Sequence, residues 1–453
     1  MMAMQLSEAA RVLDARLVGD NVAFRGVSTD TRKLQPGSLY FALQGPNFDG
    51  HAFIDAARDQ GASAVAVSRS CKSSLPQMEV ADTRLALGQL GAYWRQQFSL
   101  PVVAITGSNG KTTVRAMTES ILSRCGRVLS TQGNLNNDIG LPLTLARLGP
   151  EDQYAVLEMG ANHHGEIDYL AGLAQPSIAV VTNAGPAHLE GFGDMEGVAR
   201  AKGELFARLD TDATAIINAD DDFAPLWRSL ASHCHIVDFG LDADAGVTAE
   251  WVGDSRGSDV RIRAVQGEIE FRLPLPGRHN VMNALAACAV ALAAGAGPAA
   301  VKQGLESLSP VAGRFNIHSL PGDITLIDDT YNANPESLQA ALDVLTLSDD
   351  DSWLVLGDMG ELGATAAALH AAVGRKARAA GVTRLYGLGE LAGQAVAAFD
   401  GPGGAFSTLE ELLDVLRADL TGPLHILVKG SRSMRMERVV AALDAAAAGG
   451  GQH

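Results

Sequence analysis

The residues Gly107-Ser-Asn-Gly-Lys-Thr-Thr113 carry the plainest chemistry in the chain. They follow a short apolar run, Val102 to Ile105, of the kind a buried parallel strand shows. From Val114 the apolar spacing (Val114, Met117, Ile121, Leu122) turns helical. Strand, glycine turn and helix together aim backbone N–H groups and a helix N-terminus at an anion. Lys111 adds a mobile point charge, and the hydroxyl directly after it, on Thr112, can ligate Mg²⁺ beside phosphate oxygens. The stretch reads as a phosphate loop, the plainer alternative being an ordinary strand–helix turn. It is shorter than G-x-x-x-x-G-K-[ST], because Ile105 stands where the first glycine belongs.

Other reactive side chains stand at the ends of apolar runs. Glu158 closes Tyr154-Ala-Val-Leu-Glu158. A carboxylate at a strand end facing a phosphate loop is the usual second attachment for Mg²⁺; the alternative is a solvated loop acid. His188, in Asn183-Ala-Gly-Pro-Ala-His188, follows a strand end and is open to a structural or a functional reading. Lys202, between Ala201 and Gly203, reads as a surface lysine, and Asp220-Asp-Asp222 as an acidic cluster of no evident duty. Near the N-terminus, Ser28, Thr29, Asp30, Thr31 and Arg32 form either a polar loop or a holder for a phosphate or polar head group.

Positioning such residues requires an α/β framework. Strands are expected at 102–106, 154–158, 178–182, 213–218 and 235–239, alternating with helices, the signature of an open and mainly parallel sheet. The polar residues fall at the C-terminal ends of these strands, where ligands bind in such sheets. A hairpin is expected at 260–265 and 268–273, then an alanine-rich buried helix through Ala294, with Asn280 as a possible cap. A second alternating unit has strands at 324–327, 353–356, 384–387 and 425–428. Residues 1–98 read as a smaller α/β unit, its first helix capped by Ser7. The fold class is thus α/β, with a small N-terminal unit (1–98), a central P-loop unit with a parallel sheet (99–312) and a Rossmann-like C-terminal unit (313–453).

Composition narrows the class. A chain of 453 residues, 47% hydrophobic and 19% charged, can bury more than one core. A net charge of −17 argues against unaided binding to nucleic acid or an anionic membrane. Cys71, Cys125, Cys234 and Cys288 are widely spaced and read as reduced core residues. No signal-peptide pattern opens the sequence and no apolar run has membrane-spanning length, so a cytoplasmic protein is expected.

Several separated motifs together resemble the Mur ligase family. They are Thr106-Gly-Ser-Asn-Gly-Lys-Thr-Thr113, Glu158-Met-Gly160, His188-Leu-Glu190, Ala201-Lys-Gly-Glu204 and Ala312-Gly-Arg-Phe315. Thr131-Gln-Gly-Asn-Leu-Asn-Asn137, Asp328-Asp-Thr-Tyr-Asn-Ala-Asn-Pro335, Leu356-Gly-Asp-Met-Gly-Glu-Leu-Gly363 and Lys429-Gly-Ser-Arg-Ser433 resemble the family branch that takes a dipeptide. No Asp-Asn-Pro-Arg tetrapeptide, the mark of the sister branch that adds a diamino acid, occurs. Asp194 and Arg115 depart from residues common in the branch, serine and lysine.

The resemblance implies three domains and an ATP-dependent ligase of peptidoglycan precursor synthesis. ATP would phosphorylate the terminal carboxylate of a UDP-N-acetylmuramoyl-tripeptide, and D-alanyl-D-alanine would attack the acyl phosphate. It implies ATP contacts from Gly107, Ser108, Asn109, Gly110, Lys111, Thr112, Thr113, Asn280, Arg314 and Asp329. It implies a first Mg²⁺ on Thr112 and Glu158, and a second on His188 and on Lys202 after carbamylation. Catalysis would fall to Lys111, Glu158, His188 and Lys202. Substrate contacts would come from Ser28 to Arg32, Asn134, Asn136, Asn137, Asn332, Asn334 and Lys429. A monomer that engages neither nucleic acid nor the membrane interior is expected.

Overall fold

The computed structural model describes residues 1–186, 189–309, 311–347 and 350–449. The central sheet has the strand order Val128–Ser130, Tyr154–Glu158, Val102–Thr106, Ile178–Val181, Thr214–Asn218, His235–Phe239, parallel throughout. Its inner strands are apolar on both faces because helices cover both. Along Val102–Thr106, Val102 and Ala104 pack on one side with Ile167, Leu170, Val198 and Phe206. Val103 and Ile105 pack on the other with Val114, Met117, Ile121 and the helix Arg278–Ala293. Each such fully buried Val or Ile side chain contributes about 1.5–3 kcal/mol, so the strand that carries the loop is firmly anchored.

The expected strands are all present, and the missed ones lie mostly at edges. Val128–Ser130 extends the central sheet, and Thr248–Asp254 turns the expected hairpin into a three-stranded antiparallel sheet with Gly257–Ala264 and Gly267–Leu273. The C-terminal sheet runs Asn316–Leu320, Ile324–Asp329, Leu424–Lys429, Asp351–Gly357, Arg384–Leu388, Gly403–Phe406, antiparallel only at the first pair. The N-terminal sheet is mixed, built from Arg16–Val18, Gln77–Glu79, Ala64–Val67, Leu39–Phe41 and Val27–Ser28.

Three local expectations change. Ser7 lies inside the first helix, Leu6–Val12, whose cap position is Gln5; the Ser7 N–H donates to Asn21 Oδ1 instead. Asn280 lies within the helix that starts at Arg278, and its Nδ2 donates back to the Pro276 carbonyl. Of the cysteines only Cys288 is buried, whereas Cys125 is exposed. No helix among the described residues is long and apolar enough to cross a membrane.

Candidate active site

The loop after Val102–Thr106 is shaped by two glycines. Gly107 has φ +146°, and a Cβ there would collide with Thr182 Oγ1. Gly110, at φ +80°, caps the helix Lys111–Leu122, and a Cβ there would strike Asn283 Oδ1. Gly107→Ala is therefore expected to cost about 1–3 kcal/mol of stability. A fall in thermal midpoint together with lost nucleotide binding would show it, and an unshifted midpoint would contradict it.

Lys111 folds back over its own loop, its Nζ donating to the carbonyls of Gly107 (2.7 Å) and Ser108 (3.3 Å). Burial holds this ammonium below the ordinary lysine range; Glu158 pulls the other way and Arg314 adds to the depression. The loop is also strapped to the neighbouring strand end. Ser108 Oγ donates to the Gly185 carbonyl (3.0 Å) and accepts from the Gly185 N–H (2.9 Å).

Glu158 is 3% exposed. It accepts from Thr112 Oγ1 on Oε2 (2.9 Å) and from Asn136 Nδ2 on Oε1 (2.9 Å), and its own N–H donates to Thr131 Oγ1 (3.0 Å). A buried carboxylate and a half-buried loop hydroxyl thus meet. Arg115 Nε approaches the same carboxylate at 4.0 Å. Lys202 departs from its local reading as a surface residue: it is 1% exposed, on the inner face of the helix Met195–Ala207, with Nζ 5.3 Å above the Phe192 ring. Burial, and then the nearby Lys111 charge, push its amine down to about 7. A surface lysine this is not. His188 lies outside the described residues.

The C-terminal domain reaches the loop from the far side. Arg314 Nη2 donates to Thr112 Oγ1 (3.4 Å), and its guanidinium lies 4.2 Å over the Tyr331 ring. Arg314 Nε is buried with no hydrogen-bond partner among the described residues, a donor left for an anion. Asn334 caps the helix Pro335–Leu345 and, through Nδ2, donates to Asn109 Oδ1 (2.7 Å).

These groups surround one cleft of about 960 Å³, walled by all three domains. Ser108, Asn109, Gly110, Lys111, Thr112, Asn134, Asn136, Asn137, Glu158, Arg314, Asn332 and Asn334 line it. Gly107, Thr113, Lys202, Asn280, Asp329 and Lys429 do not. Asp329 and Lys429 instead form a pair with each other (2.5 Å), Lys429 being 2% exposed and also donating to the Asn332 carbonyl. Ser28, Thr29, Asp30, Thr31 and Arg32 also lie away from the cleft. There Arg32 is exposed and engaged with Asp30 through its N–H, Nε and Nη2.

Sequence reasoning missed part of the wall. Arg84 of the N-terminal domain donates through Nη2 to Asp138 Oδ1 (2.7 Å), and His164, Tyr169, Tyr331 and Arg432 also line the cleft. Arg84, His164 and Tyr169 left no local signal, whereas Tyr331 and Arg432 stand inside two of the branch motifs without being singled out as site residues.

Comparison with known proteins agrees with this arrangement. Three family models match in order: the Mur ligase family catalytic domain at residues 23–94, the Mur ligase middle domain at 105–291 and the Mur ligase glutamate ligase domain at 313–432. The UDP-N-acetylmuramoyl-tripeptide–D-alanyl-D-alanine ligase of Escherichia coli is 45% identical, over 98% of this chain and 99% of that protein. Its Bacillus subtilis namesake is 34% identical over 93% of each. Among solved structures, MurF from Acinetobacter baumannii superposes with a TM-score of 0.92 at 37% identity, covering 98% of this chain and 99% of that one. MurF ligase from Thermotoga maritima in complex with ADP gives 0.83 at 27% identity, covering 93% and 97%. Fold, cleft and sequence together make this chain a member of the Mur ligase family.

Proposed function

We propose that this chain is the ATP-dependent ligase that joins D-alanyl-D-alanine to a UDP-N-acetylmuramoyl-tripeptide, in the synthesis of peptidoglycan precursors. One observation carries the reading: the phosphate loop, the buried Glu158 and the unpartnered Arg314 Nε meet in a single cleft to which all three domains contribute. The relatives named above catalyse this addition, and a solved relative is held with ADP.

A carboxylate and an amine do not condense unaided in water, so the carbonyl first needs a good leaving group. The γ-phosphoryl of ATP passes to the tripeptide's terminal carboxylate, giving an acyl phosphate and ADP. The dipeptide's amine then attacks the carbonyl carbon, and phosphate departs. Lys111 and Arg314 supply positive charge where phosphate charge is redistributed, and the loop's N–H groups orient the chain of phosphates. Closing the cleft keeps water from the acyl phosphate.

The donor set suits Mg²⁺: Thr112 Oγ1 and Glu158 Oε2 are hard oxygens 2.9 Å apart, and the carboxylate keeps further acceptor capacity beyond its two hydrogen bonds. An ion held there would complete its shell with phosphate and water oxygens. Bound there, Mg²⁺ would neutralise charge on the phosphates during transfer. His188 and a carbamylated Lys202 are proposed to hold a second ion. The buried amine of Lys202 supports that role, since a neutral amine captures CO₂.

Domain duties follow the same reading. Residues 1–98, including Ser28 to Arg32, take the UDP end; 99–312 bind ATP, with Asn280 among the contacts; 313–453 close over ATP, with Asp329 among the contacts, and bring the dipeptide, with Asn332, Asn334 and Lys429 on that side. The protein is proposed to act as a cytoplasmic monomer.

Phosphate release measured with substrates omitted one at a time tests the proposal. Release is expected only with ATP, the UDP-tripeptide and the dipeptide together. Release that continues without the dipeptide would overturn it. A panel of acceptors with mass detection would separate it from a ligase that adds a single amino acid.

A further inference from the structure

Asn109 sits at the tip of the phosphate loop, yet its side chain turns away from the loop. Its Nδ2 donates to Glu336 Oε2 (3.1 Å), and its Oδ1 accepts from Asn334 Nδ2 (2.7 Å). Its main chain is fixed within the central domain. The N–H donates to Asn183 Oδ1 (2.8 Å), and the carbonyl accepts from Thr182 Oγ1 (2.6 Å) and Asn183 Nδ2 (3.2 Å). Backbone in one domain and side chain in another: Asn109 is a pin between them.

The C-terminal partners are themselves rigid. Asn334 Oδ1 accepts from the Ser337 N–H (2.8 Å) and Ser337 Oγ accepts from the Asn334 N–H (3.1 Å), a reciprocal cap that fixes the first turn of Pro335–Leu345. Glu336 stands in that turn, where the helix dipole favours a carboxylate. It rests on Gly185 so closely that a Cβ there would collide with Glu336 Oε2. Gly185 is the residue strapped to Ser108 of the phosphate loop. The helix therefore docks on two adjoining loops, and both belong to the phosphate site.

We propose that Asn109 is a positioning residue that couples nucleotide binding to docking of the C-terminal domain through Asn334 and Glu336. The physical ground is shared ordering. A nucleotide that fixes the loop fixes the Asn109 rotamer, so docking then loses less freedom, and docking holds the loop for the nucleotide in turn. The coupling factor must be the same in both directions. This rests on the nucleotide-binding part of the function proposed above and adds a residue-level link between that site and domain closure.

The test uses the full-length enzyme with a non-hydrolysable ATP analogue and Mg²⁺, reading analogue affinity by titration and compaction by small-angle scattering. Glu336 does not line the cleft. Glu336→Ala is therefore expected to weaken analogue binding roughly five- to tenfold, purely through docking, and to reduce analogue-induced compaction. Asn109→Asp sets a carboxylate against Glu336 and is expected to lose about tenfold or more in affinity. Adding Glu336→Gln to that variant should recover most of the loss, because the new amide can donate to the new carboxylate. Glu336→Gln alone keeps an acceptor oxygen for Asn109 and should stay within about twofold of the parent. Unchanged affinity and compaction in Glu336→Ala, or an equal loss from Asn109→Asp with and without Glu336→Gln, would overturn the inference. Failure of the ligase reading would show separately, as absent phosphate release by the parent enzyme.

Discussion

Lys111→Ala is expected to abolish measurable ATP turnover while leaving the chain folded. In this structure the ammonium is held by two carbonyls of its own loop, 2.7 and 3.3 Å away, and among the described residues by no carboxylate at hydrogen-bonding distance. On the proposed reading it is a charge kept in place for phosphate. Removing one preorganised group that stabilises developing charge costs about 2.7–4 kcal/mol, or a factor of 100 to 1,000. The fold should persist because Lys111 belongs to neither of the two cores that flank the central sheet. Single-turnover ADP formation with circular dichroism on the same sample reads both. Near-normal turnover would remove the phosphate assignment. Lys111→Arg should not rescue, since a planar fork cannot reproduce a compact ammonium between these two carbonyls.

Lys202→Ala should be nearly as damaging, for a different reason. A fully buried lysine costs free energy unless its amine is neutral or modified, and burial here brings it to about 7. Near neutrality much of the side chain is a free amine. Its lone pair can bond to the carbon of CO₂, with loss of one proton, to give a carbamate anion. The sign follows: the amine is protonated and unreactive below about pH 7 and available above it. Activity should therefore fall as pH drops through that region, and added bicarbonate should offset part of the fall. Lys202→Ala is expected to lose about 100-fold or more in turnover, the scale of removing one charge-stabilising group. A small carboxylic acid able to occupy the vacated space should restore part of it. An unmodified mass at Lys202 in active enzyme, combined with full activity of Lys202→Ala, would refute the role.

The sequence carried the catalytic centre better than its surroundings, for physical reasons visible residue by residue. Val102 to Ile105 is apolar on both faces and ends in a glycine turn, so strand, loop and ligand end were legible together. Asn316–Leu320 and Gly403–Phe406 were not, because these edge strands have no buried position to give an apolar run, and Gly403-Gly404 in the second reads as a turn. Lys202 was misread although a signal existed: Val198, Lys202, Leu205 and Phe206 share the buried face of their helix at helical spacing. The presence of a charge outweighed the period. Asn109 could be assigned to the loop from its neighbours, but its partners lie more than 200 residues further along the chain, and no local pattern encodes such a contact.

The placement of the C-terminal contacts has a mechanical consequence. The third domain begins beside Gly313 and Phe315, both in left-handed backbone conformations, and touches the phosphate site through Arg314, Asn334 and Glu336. Its catch at Arg314 therefore adjoins its pivot in the chain, while Arg384–Leu388 and Gly403–Phe406 lie at the opposite edge of the C-terminal sheet from Asn316–Leu320. A door latched near its hinge is aligned with high accuracy at the latch but held with little leverage. Such a domain can set an amine against an acyl phosphate and still be released by thermal motion once the product has formed.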